Sequence, residues 1–219
     1  MSDFTRRFIS AVFLASIITL TFCCTEEAIL TKIFLALFAS IAIYEMWYYR
    51  LWVHYTHVVD IGTILVFGCI FMFWLPQSIL GLVILTAFAY DTFAYLGGKT
   101  YGEYITKKRP FSKTSPNKTW EGLLIGLVVS AMVGVAFLFL WPENLSGNKT
   151  AIIIAVFGGF LAAFGDYLGS HYKRSIKLPN GSGTPFTSLL LPGHGGFIDR
   201  FLSLFTTALG AEILNYFLR

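Results

Sequence analysis

Long apolar runs separated by short polar breaks take up most of this chain, and no other feature limits its fold so severely. They fall near residues 8–24, 30–49, 58–75, 78–97, 120–141, 151–169 and 196–217. A helix needs about 20 such residues to cross a hydrocarbon layer about 30 Å thick. Hydrophobic residues make up 56% of the chain and charged residues only 13%. A soluble domain carries about 25% charged residues, so there is too little charge here to clothe a water-facing surface. The pattern predicts an all-α, polytopic integral membrane protein with about seven transmembrane helices.

The N-terminal run follows Arg6 and Arg7 and has the outline of a secretory signal. Thr21-Phe22-Cys23-Cys24 sets a bulky Phe where a small-residue processing site belongs, so residues 8–24 are expected to stay as the first span. The three cysteines, Cys23, Cys24 and Cys69, have neither disulfide-framework nor zinc spacing. They are expected to behave as small apolar residues.

Cation placement sets the orientation. With a cytoplasmic N-terminus, thirteen of the sixteen lysines and arginines fall on the inner side, leaving Lys32, Lys149 and Arg219 outside. Two long polar connections, 98–119 and 170–195, then face the cytoplasm. Residues 1–80 form N-terminal spans without motifs. Residues 81–219 form the region expected to carry chemistry. Spans gain nothing from the hydrophobic effect when they associate in lipid and need close backbone approach. Gly122 with Gly126, and Gly165 with Gly169, have the spacing for it, and Gly158 and Gly159 lie on the same span as the second pair.

Acids in such spans are costly and rare. Asp91, Asp166 and Asp199 lie within or at the edge of apolar runs, all toward the predicted cytoplasmic side. Glu45 and Glu212 lack a polar neighbourhood and read as structural. In GDYLGSHYKRSIK, Asp166, Ser170, Lys173 and Lys177 share one face of a continuing helix, bordered by Arg174. A carboxylate at membrane depth with cations one to three turns further out suggests a metal below a phosphate clamp. The 98–119 connection carries Lys99, Lys107, Lys108, Arg109, Lys113 and Lys118. It ends in SPNKTWEG, where Ser115-Pro116 favours a turn and Thr119 can cap a helix starting at Trp120. Such a helix start suits phosphate oxygens. In LPGHGGFIDR, Gly193, Gly195 and Gly196 permit close backbone approach to a ligand. His194 offers a hydrogen bond or proton, Asp199 a hard oxygen, and Arg200 a fork for phosphate. Carboxylates from two helices ringed by cations fit Mg²⁺, which shares its coordination with substrate phosphates. The residues by themselves indicate a membrane enzyme that handles phosphates with Mg²⁺.

Three ordered blocks make the reading more specific. DTFAYLGGK (91–99), SPNKTWEG (115–122), and SHYKR (170–174) with LPGHGGFIDR (191–200) closely resemble the signature blocks of the phosphatidate cytidylyltransferases, or CDP-diacylglycerol synthases. The resemblance covers roughly residues 85–205. It implies transfer of CMP from CTP to phosphatidic acid, with release of pyrophosphate and a requirement for Mg²⁺. It also implies a protein of the bacterial inner membrane, acting on its cytoplasmic side, with no nucleic-acid partner; homodimer formation stays open. By the same resemblance Asp166 and Asp199 are metal ligands, and Lys173, Arg174 and Arg200 hold phosphates. His194 and the glycines shape the pocket, while Asp91 and Lys118 belong to the polar cavity on the nucleotide side. Lys99, Ser115, Thr119, Ser170 and Lys177 complete the expected binding residues.

Two departures stand out. The family has a Lys-Asp pair where Lys177 precedes Leu178, and PNGSGTPFTS follows like an insertion. The family also has an acid where this chain has Leu202, three residues after Asp199. Two alternatives stand beside the transferase: a weak or inactive scaffold or transporter of the same fold, which the missing acids favour, and a CTP-dependent lipid kinase.

Overall fold

The computed structural model describes residues 70–102, 118–140, 148–175 and 197–218, together with positions 33, 36, 37, 40, 41, 44, 67, 68, 104 and 110; at 172, 173, 175 and 197–200 it describes the backbone alone. The expected spans at 8–24 and 30–49, and most of 58–75, lie outside the described residues or are touched only at single positions.

Four long helices form the described body: α1 (Gln77–Tyr101), α2 (Trp120–Leu140), α3 (Lys149–Ser175) and α4 (Phe197–Leu218). Each contains a stretch long and apolar enough to cross a membrane. Their starts follow from local chemistry. Pro76 disfavours helical backbone at Leu75, so the helical residues 70–74 end there and α1 begins afresh at Gln77. The Thr119 hydroxyl accepts a hydrogen bond from the Gly122 N–H at 3.1 Å, capping α2 as the sequence predicts. Asn148 does the same for α3, its side-chain oxygen accepting from the Ala151 N–H at 3.2 Å.

The helices run up, down, up and down. Gly98 lies against Thr119 and Gly122, Thr86 against Gly158, Gly159 against Ser130, and Gly165 against Leu202 and Ser203. Helices α1 and α3 touch each other and both remaining helices, which flank that pair. In consequence the ends of α1 and α3 and the starts of α2 and α4 all lie at one end of the bundle.

Packing is the reverse of a soluble bundle. Along α2 the buried positions include Gly122, Gly126, Ser130 and Gly134, while Leu124, Val128, Met132 and Phe139 face outward. Small residues every fourth position let α2 approach its neighbours, the arrangement lipid favours. A Cβ on Gly126 would fall 2.8 Å from that of Ala94, so α1 and α2 meet almost backbone to backbone. Halfway along, the Ser130 hydroxyl donates to the Thr86 carbonyl at 2.8 Å, tying α2 to α1. Large apolar side chains fill the centre between α1 and α4, with Phe88 edge-on to Phe201 at 6.5 Å.

Candidate active site

The polar end of the bundle gathers one side chain from each helix or its threshold. Asp91 comes from α1, Lys118 from the residue just before the α2 cap, Asp166 from α3 and Ser203 from α4. Ten residues separate Asp91 from the end of α1, about 15 Å at 1.5 Å per residue. Nine separate Asp166 from the end of α3. The cluster is therefore recessed inside the bundle and not set on its rim.

Two contacts organise it. The Lys118 ammonium pairs with Asp166 Oδ2 at 2.6 Å, with side-chain exposures of 22% and 27%; the ammonium nitrogen itself is enclosed. On the other flank, the wholly buried Ser203 hydroxyl donates to Asp91 Oδ2 at 2.7 Å. Both carboxylates lie close enough to the buried Tyr90 hydroxyl to act on it electrostatically. Two acids of like charge thus share one neighbourhood, with a lysine offsetting one and a hydroxyl steadying the other. Glu121, in the first turn of α2, is also buried at this end.

Backbone packing fixes these groups. A Cβ on Gly165, the residue before Asp166, would fall 2.6 Å from both the Leu202 carbonyl and the Thr206 hydroxyl. No other side chain lets α3 sit so near the turn of α4 that carries Ser203. Thr119 and Gly98 are similarly close, which locates the start of α2, and with it Lys118, against the end of α1.

The remaining sequence-predicted residues fall as follows. Ser170 lies one turn beyond Asp166, with its hydroxyl bonded to the Asp166 backbone carbonyl at 2.9 Å. Helix α3 does continue past the apolar run, through Lys173 and a half-buried Arg174. Lys99 lies in the last turn of α1, its ammonium 6.0 Å from the centre of the Tyr95 ring. Asp199 and Arg200 stand in the first turn of α4, position 199 one turn before Ser203 on the same stripe. Ser115, Lys177, Gly193, His194, Gly195 and Gly196 lie outside the described residues. Sequence reasoning passed over Ser203, Tyr90 and Glu121. Leu202, where the resemblance expects an acid, is wholly buried in the apolar core, and its neighbour Ser203 reaches Asp91.

Hard oxygen donors from Asp91 and Asp166 suit Mg²⁺, which is usually held by one or two carboxylates with substrate phosphates completing the shell. Among the described residues no three His, Cys, Asp or Glu side chains gather into a metal cage. Two carboxylates, with substrate phosphates completing the shell, are thus the arrangement to weigh, and these oxygen donors fit it.

The sequence matches the cytidylyltransferase family over residues 4–218. The chain belongs to that family. It is 37% identical over 156 residues to a phosphatidate cytidylyltransferase of Helicobacter pylori, covering 69% of this chain and 49% of that protein. Against the phosphatidate cytidylyltransferase of Haemophilus influenzae the identity is 30% over 154 residues, or 69% and 45% of the two chains. A chloroplastic phosphatidate cytidylyltransferase of Arabidopsis thaliana is 37% identical over 130 residues, 58% of this chain and 30% of the relative. The chain spans about half the length, or less, of these curated relatives. No solved structure matches it.

Proposed function

We propose that this protein transfers CMP from CTP to phosphatidic acid, forming CDP-diacylglycerol and pyrophosphate at the cytoplasmic face of a bacterial inner membrane. The observation that carries the reading is the recessed polar cluster. Four membrane-length helices deliver Asp91, Lys118, Asp166 and Ser203 to one end of a bundle whose outer surface is apolar. Family membership supplies the nucleotide chemistry, and the cation asymmetry of the sequence supports the orientation.

The lipid phosphate is already ionised near neutral pH, so its attack needs little general-base help. One of its oxygens forms a bond to the α-phosphorus of CTP as the bond from that phosphorus to the bridging oxygen breaks, and pyrophosphate leaves. The protein's task is to align the two phosphates and offset their charge. In this reading Lys118 and the start of α2 receive nucleotide phosphate oxygens. Lys173, Arg174 and Arg200, on the rim-side turns of α3 and α4, serve the phosphates nearer the interface. Asp166 and Asp199, with Asp91 steadied by Ser203, would hold Mg²⁺, which supplies charge neutralisation on the leaving pyrophosphate. The acyl chains stay in the bilayer while the head group enters.

The test is direct. Purified chain is incubated with α-³²P-labelled CTP, phosphatidic acid and Mg²⁺, and the lipid extract is counted. Label in CDP-diacylglycerol is the expected result. Label confined to the aqueous phase refutes the activity. A γ-labelled CTP arm separates the kinase, which alone would leave that label on lipid.

A further inference from the structure

The family resemblance assigns Lys118 to the nucleotide side and Asp166 to the metal, yet the two are bound to each other. We infer that the ion pair is an exchange site. Lys118 occupies Asp166 until a nucleotide polyphosphate draws the ammonium away, and only then is the carboxylate open to a divalent cation. This rests on the proposed function for the identity of the incoming anion, but its key step concerns only these two side chains and a metal ion.

The geometry favours movement of the lysine and not of the acid. Asp166 follows Gly165, which is locked against the α4 backbone, and lies mid-helix with its carbonyl bonded by Ser170. Lys118 precedes the cap of α2, so its backbone is anchored by the Thr119–Gly122 bond while its four-carbon stem can swing. The helix N-terminus beside it offers N–H groups to the same phosphate oxygens that would attract the ammonium. Electrostatics then forbids the intermediate state. An ammonium 2.6 Å from the carboxylate oxygen leaves a divalent cation on that carboxylate facing a like charge in a recess where solvent screens little. Phosphate oxygens placed between them remove the conflict. The metal therefore binds Asp166 after the nucleotide has displaced the lysine, and metal alone binds poorly.

The test uses Mn²⁺ as the probe, without nucleotide, with the electron paramagnetic resonance signal of free Mn²⁺ as the readout. The full chain in detergent is compared with Lys118→Met, Lys118→Arg and the Lys118→Met/Asp166→Asn double variant. Lys118→Met is expected to bind Mn²⁺ at least about tenfold more tightly than the unsubstituted chain, since a repelling charge is gone. Lys118→Arg keeps the cation and should stay near the unsubstituted affinity, and the double variant should lose the gain. If Lys118→Met does not fold, Lys118→Gln makes the same comparison. Equal affinities with and without the lysine would overturn the exchange and leave the pair a structural tie between α2 and α3. A gain that survives in the double variant would overturn it as well, by putting the metal elsewhere. The lipid-extraction assay on the unsubstituted chain reports separately on the activity, so a chain that makes product but shows no gain refutes the exchange alone.

Discussion

Gly165→Ala should damage the active site more than the fold, because one methyl group there pushes on the helix that steadies Asp91. The new Cβ would lie 2.6 Å from the Leu202 carbonyl and the Thr206 hydroxyl, and 2.8 Å from the Ser203 Cα, where ordinary contact begins at 3.4 Å. The deficit is about 0.8 Å, and two of those three atoms belong to the α4 backbone, which cannot turn aside. If α4 backs away by that amount, the 2.7 Å bond from Ser203 to Asp91 opens to about 3.5 Å, the edge of hydrogen bonding. Overpacking of this kind costs about 1–3 kcal/mol in stability. Loss of a hydrogen bond to a charged group is of order 1.5–3 kcal/mol, or one to two orders of magnitude if it is felt in the transition state. Thermal unfolding in detergent and turnover per folded protein separate the two effects. Gly159→Ala is the control. Its Cβ meets the Ser130 side chain at 2.9 Å on the α2 side, so it should lose comparable stability and keep turnover. A folded Gly165→Ala chain with full turnover would refute the idea that α3–α4 packing sets the Asp91 geometry.

Ser203→Ala removes the same hydrogen bond without the strain, and turnover should fall about tenfold or more with little change in unfolding temperature; full activity would make the bond incidental. Leu202→Asp puts back the family's acid, but in a wholly buried apolar position, so it should destabilise the chain by about 3 kcal/mol or more; a stable variant with a lower Mg²⁺ requirement would show that residue 202 can face the site. Thr119→Ala should cost about 1 kcal/mol of stability through the lost α2 cap, and an unchanged unfolding temperature would deny the cap any weight. A cysteine placed at Ser112 in an otherwise cysteine-free chain should resist labelling from outside intact cells, and ready labelling would reverse the orientation.

The four described helices were legible because apolar length is a crude and robust signal. Their ends were less so. Helix α1 runs to Tyr101, past the apolar run that ended at 97, because backbone hydrogen bonding does not stop where hydrophobicity does. Only for α3 did the spacing of Asp166, Ser170 and Lys173 show that the helix continues past 169, as it does to Ser175. Among the site residues, Asp91 and Asp166 announced themselves through the cost of an acid among apolar neighbours. Ser203 could not. A hydroxyl in an apolar helix commonly bonds its own backbone four residues back, as Thr206 does to Leu202 and Thr207 to Ser203. Nothing in the sequence marks which serine instead crosses to another helix. The Lys118–Asp166 pair was hidden for a related reason, since spacing along the chain says which residues share a helix face but not which faces meet. That information resides in the small residues. Gly98 and Gly122 place the start of α2 against α1, while Gly134, packed on the Ala155 backbone, places α2 against α3. Once those contacts are fixed, the lysine before the cap can reach only the part of α3 that carries Asp166. The glycines that read as mere packing are thus what decides which charges meet.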